Sequence, residues 1–220
     1  MIVPQPKAVL FDFDGVVANS TALHHRAWSH VFRQLFGRPL GPFPAEAVSG
    51  KAPRLIAAYL AEQGGNPDLA EQLHDEKLHY LLASEPPPLL PGVRALMEAL
   101  WKRDIPYGIA SNAPGPFVRW AARRASLHVA VILGVEDVAA AKPEPTPYLE
   151  LADQLGVDQS DYPATWVLED SRTGMQAAVA TDMYPIGITT HYDAATLRAE
   201  GARATYATPA ALLAAWQAIA

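Results

Sequence analysis

The sequence contains no cysteine among its 220 residues. Disulfides, thiolate nucleophiles and zinc–thiolate sites are therefore excluded. No apolar run approaches the roughly 20 residues that a membrane-spanning helix needs, and only Lys7 precedes the first short apolar run, without a cleavable signal stretch. From these absences we expect a cytoplasmic protein that does not associate with a membrane.

Positive charge is also scarce, since 17 lysines and arginines oppose 23 aspartates and glutamates to give a net charge of −6. This balance argues against a nucleic-acid partner, which requires a basic surface to neutralise phosphates. A small phosphate ester remains possible, because one lysine and one divalent cation can reverse the field within a pocket. Half of the residues are hydrophobic, as is typical of a globular protein with a large core.

Short apolar runs recur along the chain and are separated by helical patterns. Each run is too short for a helix and is typical of a buried parallel strand. The runs lie at 8–13, 106–111, 129–133, 165–168 and 184–189. The alternation predicts an α/β fold with a doubly wound, mainly parallel, Rossmann-like core sheet. Ligands bind at the carboxyl ends of the strands in this architecture.

One stretch, from about residue 20 to residue 84, interrupts the alternation with helical patterns alone. Three helices are indicated by apolar residues at helical spacing around Leu23, Leu60 and Leu73. The stiff segment 85–88, which contains three prolines, then leads back to the sheet. We therefore predict an α/β core formed by 1–17 and 89–220, and an inserted α-helical cap domain at 18–88.

Two carboxylates, Asp12 and Asp14, follow the first strand, and Gly15 permits a sharp turn after them. In an extended segment residues i and i+2 point to the same face, so both carboxylates should meet solvent together. Taken alone, the pattern also fits a plain turn. The spacing that would continue a helix–loop–helix calcium motif is missing.

Polar groups follow later strands as well. Ser111 ends the second strand, and the turn after it, beginning with Asn112, could form a phosphate cradle or an ordinary helix cap. Lys142 is followed by prolines at 143, 145 and 147, which stiffen the segment, although a single lysine is usually a solvated surface group. Glu169 and Asp170 end the fourth strand, where two adjacent carboxylates are costly unless a cation neutralises them.

The four segments occur in order, with a helical insertion after the first, and over essentially the whole chain this combination resembles the haloacid dehalogenase-like superfamily. The resemblance is to the phosphatase branch related to β-phosphoglucomutase. It rests on the segments 9–17, 110–112, 141–145 and 168–171, which read VLFDFDGVV, ASN, AKPEP and LEDS.

The resemblance implies a magnesium-dependent enzyme that forms an aspartyl-phosphate. Asp12 would be the nucleophile and a metal ligand. Asp14 would be the acid/base and would offer its backbone carbonyl to the metal. Asp170 would supply a further carboxylate, with Glu169 as a ligand or behind one. Oxygen ligands and octahedral preference favour Mg²⁺ for such a set. Ser111 and Lys142 would hold the transferring oxygens.

The substrate contacts implied by the resemblance lie partly in the cap. They are Gly15, Asn112, His24, Gly50, Lys51 and Arg54. His24 is equally explained as a satisfied helix residue, and Arg54 as a solvated charge. The expected ligand is a small-molecule phosphate ester. For the oligomeric state we expect a monomer or a weak homodimer.

The sequence favours hydrolysis over mutase chemistry. In the mutase branch a Lys-Asn pair follows the serine region, whereas here 112–115 is shorter and carries no cation. Ser49 replaces a lysine expected before the cap-loop glycine, and Pro53 aligns with an expected arginine unless Arg54 substitutes. We expect a phosphatase acting on a small metabolite such as a sugar phosphate, with a β-phosphoglucomutase-type mutase as the alternative. A phospho-accepting signalling domain or a catalytically silent protein is disfavoured.

Overall fold

The computed structural model describes residues 3–43 and 50–218 and contains a six-stranded sheet. The strands are β1 (Ala8–Phe11), β2 (Tyr107–Ala110), β3 (Val131–Leu133), β4 (Thr165–Glu169), β5 (Tyr184–Ile188) and β6 (Ala204–Tyr206). Their order is β3-β2-β1-β4-β5-β6, and every neighbouring pair is parallel. Strand β1 therefore lies at the centre of the sheet. The chain adds β2 and β3 on one side of it and β4, β5 and β6 on the other.

Helices cover both faces of the sheet and also form the insertion. The insertion contains α1 (Thr21–Phe36), α2 (Pro53–Gly64) and α3 (Ala70–Ala83). The helices that follow are α4 (Val93–Trp101), α5 (Gly115–Arg124), α6 (Thr146–Gln154), α7 (Arg172–Val179), α8 (Ala194–Ala199) and α9 (Pro209–Gln217). The predicted α/β fold with a parallel sheet and a helical insertion is thus confirmed.

The insertion has an apolar cluster of its own. Trp28 and Phe32 from α1 pack with Ala57 and Leu60 from α2 and with Leu73 from α3. The apolar residues recur every three or four positions, so each helix buries one face. Separate clusters fill the two sides of the sheet. A helical unit with its own core supports the predicted cap, whose boundaries at 18 and 88 remain a prediction.

Five of the six strands coincide with the apolar runs seen in the sequence. The sixth, β6, was not predicted, because its three residues at the sheet edge form no apolar run. The position of Lys142 also differs from the prediction that the polar groups follow directly on strands. Strand β3 stops at Leu133, and the short 3₁₀ turn Val135–Asp137 intervenes before the lysine is reached.

The membrane prediction concerns helix length and polarity. In the described part of the chain, every helix is too short or too polar to serve as a bilayer-spanning segment.

Candidate active site

A cavity of about 180 Å³ lies between the carboxyl edge of the sheet and the helical insertion. The core side contributes the carboxylates Asp12, Asp14 and Asp170 to its lining. The insertion contributes cationic and aromatic groups, namely His24, His25, Trp28, Phe43, Lys51 and Lys77. Among the described lining residues no aspartate or glutamate comes from the insertion. The cavity therefore has an acidic floor and a basic, aromatic roof.

Asp12 sits directly after β1 and is almost fully buried. Its backbone N–H donates to the carbonyl of Leu168 at 3.0 Å, which fixes the turn at the sheet edge. Burial raises the pKa of Asp12 to about 8, and the charges of Glu169 and Asp14 add to the rise, while Lys142 opposes it. Such a carboxyl needs additional positive charge to be ionised at neutral pH.

Lys142 supplies part of that charge. Its Nζ donates to Oδ1 of Asp12 at 2.6 Å, to Oε1 of Glu169 at 2.6 Å and to the hydroxyl of Tyr148 at 2.7 Å. Burial lowers the pKa of the lysine, but the two carboxylates outweigh it and raise the pKa above its usual value. An ammonium has three N–H groups, so these three acceptors account for all of them.

Glu169 is fully buried at the end of β4, and both of its oxygens are occupied. Oε1 accepts from Lys142 and Tyr148, whereas Oε2 accepts from the backbone N–H of Asp170 and from the hydroxyl of Ser171, each at 3.1 Å. Gly174 makes room for this carboxyl, because a Cβ there would lie 1.9 Å from it. Ser171 also caps α7, because its hydroxyl accepts from the backbone N–H of Gly174 at 3.0 Å.

Asp170 turns toward the cavity beside Asp12. Burial and the charges of Asp12 and Glu169 raise the pKa of Asp170 well above its usual range, although a hydrogen bond from Thr190 at 3.1 Å opposes the rise. Gly15 adopts φ +81°, and a Cβ at this position would lie 1.8 Å from Oδ2 of Asp170. The requirement for glycine at position 15 therefore comes both from the turn and from this carboxylate.

A metal ion fits this arrangement. Asp12, Glu169 and Asp170 are all buried, and one oxygen from each lies within 4.8 Å of the others. Burial raises the pKa values of Asp12 and Asp170, and the negative charge that Lys142 leaves uncompensated among the three carboxylates adds to the rise. Hard oxygen donors and an excess of negative charge are what Mg²⁺ requires. Asp12 and Asp170 face the cavity and could hold it directly, and Glu169 lies beside them as a further ligand or behind one.

Asp14 lines the same cavity in a different environment. Its Oδ1 accepts hydrogen bonds from the hydroxyl of Ser20 and from Nε2 of His24, the latter at 3.0 Å. Burial acts to raise the pKa of Asp14, but these contacts and the charge of His24 hold it below the usual range. Burial and Lys77 in turn lower the pKa of His24, against the pull of Asp14. The predicted pair of carboxylates thus meets at one cavity with opposite pKa shifts.

Ser111 and Asn112 lie at the end of β2. Ser111 is buried, and its hydroxyl accepts from the backbone N–H of Ala113 at 3.0 Å. The amide of Asn112 donates to the carbonyl of Gly50 at 2.8 Å, while its Oδ1 accepts from the backbone N–H of Lys142 at 3.0 Å. Asn112 therefore joins the insertion to the core and positions the lysine segment.

The remaining residues predicted to contact substrate divide into two groups. Gly50 and Lys51 line the cavity. Arg54 does not, because its exposed guanidinium pairs with Glu71 at 3.2 Å along the outside of the insertion. Ser49, which bears on the mutase comparison, lies outside the described residues.

Two cavity groups on the insertion escaped sequence reasoning. Lys77 is buried on α3, and its Nζ lies 4.9 Å from the centre of the Trp28 ring. Burial lowers the pKa of Lys77 to about 8, partly offset by Asp14. The ring of His25 stacks on that of Phe43, with centroids 4.0 Å apart. The only signal in the sequence was the position of Lys77 among the apolar positions of a helix. A lysine at such a position can equally be solvated.

The parallel sheet, the helical insertion after β1 and the acidic cluster at the carboxyl edge define a class of α/β proteins with an inserted helical unit above the strand ends. The chain belongs to the haloacid dehalogenase-like hydrolases, whose family model matches residues 6–182. Within that family it falls in the branch of β-phosphoglucomutases and related phosphatases.

Several known proteins resemble the chain along most of its length. Validoxylamine A 7′-phosphate phosphatase of Streptomyces hygroscopicus subsp. limoneus is 27% identical, over 87% of this chain and 89% of that protein. The β-phosphoglucomutase of Bacillus subtilis is 30% identical, over 83% of each. A CbbY variant from Rhodobacter sphaeroides, crystallised with xylulose 1,5-bisphosphate, superimposes with a TM-score of 0.78 at 25% identity, covering 96% of this chain and 99% of that one.

Proposed function

We propose that the protein is a magnesium-dependent phosphatase that hydrolyses a small sugar phosphate through a phosphorylated Asp12. The observation that carries the proposal is the position of Asp12: one carboxylate oxygen is held by Lys142, and the residue lines the cavity together with Asp14. A carboxylate oriented in this way, with an acid/base group in the same cavity, suits covalent catalysis.

Asp12 and Asp170 would hold Mg²⁺, which when bound neutralises the phosphate dianion and the carboxylates around it. In the first step a carboxylate oxygen of Asp12 attacks phosphorus, and the bond between phosphorus and the alcohol oxygen breaks. Asp14 gives its proton to that oxygen. The hydroxyl of Ser111 holds a phosphoryl oxygen, and the positive charge of Lys142, whose N–H groups are already engaged, stabilises the negative charge that grows on the phosphoryl oxygens.

In the second step Asp14 takes a proton from water, the water oxygen attacks phosphorus, and Asp12 is released. The lowered pKa of Asp14 keeps its carboxyl ionised, as a group that accepts a proton must be. The acid role in the first step requires a proton on Asp14. A phosphate dianion entering the cavity favours that proton, because a neighbouring negative charge raises the pKa of a carboxyl.

The roof of the cavity supports a ring-shaped leaving group. The stacked His25 and Phe43, together with the nearby Trp28, offer flat surfaces on which the apolar face of a sugar can rest. Lys51 and Thr21 line the same space and suit hydroxyl groups. One of the similar proteins is named as a phosphatase of validoxylamine A 7′-phosphate, which is also a phosphate ester.

Mutase chemistry is the alternative, favoured by the 30% identity to the β-phosphoglucomutase of Bacillus subtilis. A mutase must bind a second phosphate. The segment after Ser111 presents Asn112 and Ala113 to the cavity, with no cation there, which supports hydrolysis. The test is to measure phosphate release with Mg²⁺ across sugar phosphates, phosphoglycolate and nucleotides, beside a β-glucose 1-phosphate assay primed with bisphosphate. Isomerisation without net phosphate release would replace the phosphatase by the mutase.

A further inference from the structure

The side chain of Asn112 joins two segments that lie far apart in the sequence. Its Nδ2 donates to the carbonyl of Gly50 in the insertion at 2.8 Å and to the carbonyl of Lys142 at 3.1 Å. Its Oδ1 accepts from the backbone N–H of Lys142 at 3.0 Å. A primary amide has two N–H groups, so both are engaged within the protein and neither is left for a substrate.

Gly50 packs closely against the core. It adopts φ +70°, and a Cβ added there would lie 1.6 Å from the hydroxyl oxygen of Thr173 on α7. The backbone of Gly50 thus lies against α7 and also receives the hydrogen bond from Asn112. Gly50 and Thr173 both line the cavity. A side chain at position 50 would therefore hold this part of the insertion away from the core.

The same amide also fixes the backbone of Lys142. It binds both the N–H and the C=O of this residue, so the orientation of the segment depends on where the amide lies. The ammonium of Lys142 in turn reaches Oδ1 of Asp12 at 2.6 Å. An amide that binds two segments at once cannot follow a movement of one without straining its hydrogen bonds to the other. A displacement of Gly50 is therefore felt at the lysine.

We propose that Asn112 is a positioning residue that couples docking of the insertion on the core to the placement of Lys142 beside Asp12. While the insertion is docked, the carbonyl of Gly50 orients the amide, and the amide holds the lysine segment. When the insertion moves away, the amide loses this partner and the segment gains freedom. The coupling is reciprocal, so a loosened lysine segment also favours undocking. Its effect on turnover rests on the proposed function, whereas the coupling itself does not.

Three variants test the coupling from both sides. Asn112→Ala removes all three hydrogen bonds of the amide. Gly50→Ala displaces the insertion from Thr173 and leaves Asn112 and Lys142 unaltered. These two are the docking variants. Gly37→Ala is the matched control, because Gly37 is also in the insertion and has φ +65°, but a Cβ there lies more than 4 Å from the atoms around it in the described part of the chain.

The main readout is the rate at which acetic anhydride acetylates each lysine in the absence of substrate, measured by mass spectrometry. Lys77 and Lys142 are buried, and both line the cavity. Acetylation of Lys77 reports displacement of the insertion, and acetylation of Lys142 reports release of its segment, because a buried group reacts from the opened population. The exposed Lys7 and Lys102 serve as internal references. Turnover of p-nitrophenyl phosphate is measured on the same proteins.

In both docking variants we expect Lys77 and Lys142 to be acetylated at least about threefold faster relative to the references, since loss of one hydrogen bond shifts an equilibrium by about this factor or more. Their kcat should fall at least about threefold, because a displaced group contributes less to the transition state. In Gly37→Ala all three changes should stay below this factor.

A smaller change at either lysine, or in kcat, in either docking variant overturns the proposal. Equal changes in Gly37→Ala also overturn it, because they would mark a general loss of stability. A role of Asn112 in substrate contact alone would leave both acetylation rates as in the wild-type protein, which again overturns the coupling. If the wild-type protein releases no phosphate, the proposed function fails, and the acetylation rates alone decide whether the coupling exists.

Discussion

The ammonium of Lys142 lies 2.6 Å from Oδ1 of Asp12 and thereby joins a loop beyond β3 to the end of the central strand. Both groups are buried, so the pair is held in a medium where an unpaired charge is costly. The contact leaves the second oxygen of Asp12 for chemistry. It also ties the lysine to the floor of the cavity. The predictions that follow test this arrangement and the roof above it.

The role of Asp14 as proton donor predicts a dependence on the leaving group. Asp14→Asn should lower kcat for a sugar phosphate about 100-fold or more, because an alkoxide leaves poorly without a proton. With p-nitrophenyl phosphate, whose leaving group needs no proton, the loss in the first step should be less than about tenfold. Rapid-quench kinetics of this first step measures both. Equal losses for the two esters would show that Asp14 does not act as the acid.

The stacked rings of the roof predict a preference for ring-shaped substrates. His25→Ala should lower kcat/KM for hexose phosphates about fivefold to tenfold, the value of one aromatic contact, and leave glycerol phosphate within about twofold. His30→Ala is the matched control, since His30 is on the same helix and contacts the ring of Tyr80 outside the cavity. An equal loss on glycerol phosphate would remove the ring-binding role of His25.

Lys77 predicts a stability that depends on pH. Its pKa is about 8 in the folded protein and 10.5 when unperturbed, so burial of the charged form costs stability at all pH values below about 8. The cost disappears as pH rises from about 8 to 10.5, because the unfolded chain then also loses the proton. Lys77→Met should therefore stabilise the protein by about 2 kcal/mol at pH 7 and by much less near pH 10.

Urea unfolding of both proteins at the two pH values gives this difference, because Asp14 and His24, whose pKa values Lys77 affects, both have lowered pKa values and keep their protonation states between pH 7 and pH 10. If Lys77→Met raises the free energy of unfolding by the same amount at both pH values, the ammonium of Lys77 is not buried at a cost.

The acidic cluster predicts stabilisation by magnesium. At about 100 times its dissociation constant, Mg²⁺ should stabilise the wild-type protein by about 2.7 kcal/mol, or about 5–10 °C in Tm. Asp170→Asn should abolish most of this shift, because it removes a ligand. Differential scanning calorimetry with Mg²⁺ and with EDTA provides the measurement. A full shift in Asp170→Asn would place the ion elsewhere.

The sequence was sufficient for five of the six strands and for the groups at the ends of β1, β2 and β4. Asp12 and Glu169 each lie next to a buried apolar run, so their placement at one edge follows from the parallel order of β1 and β4. The lysine is different, because no strand end specifies it. Its position depends on a loop that Asn112 fixes through the backbone N–H of Lys142. Only its proline-rich surroundings set it apart in the sequence.

The groups that sequence reasoning missed are those defined by packing between distant segments. Tyr148 occupies an ordinary core position of α6, and nothing in the helical pattern shows that its hydroxyl meets Glu169. Lys77 is similar, since its burial arises only when α3 packs against Trp28 of α1. Arg54 shows the opposite error: a cation close in sequence to the cap loop lies on the exposed side of α2.

The proposed function depends most on Asp12 as the nucleophile, and Asp12→Asn tests this role most directly. Phosphate release with Mg²⁺ should fall at least about 10³-fold in this variant, since the amide is a poor nucleophile. Asp104→Asn is the control for loss of an acidic side chain, because Asp104 is exposed, far from the cavity, and adopts φ +54°, which asparagine tolerates. Phosphate release by folded Asp12→Asn at the wild-type rate would contradict the assignment of Asp12.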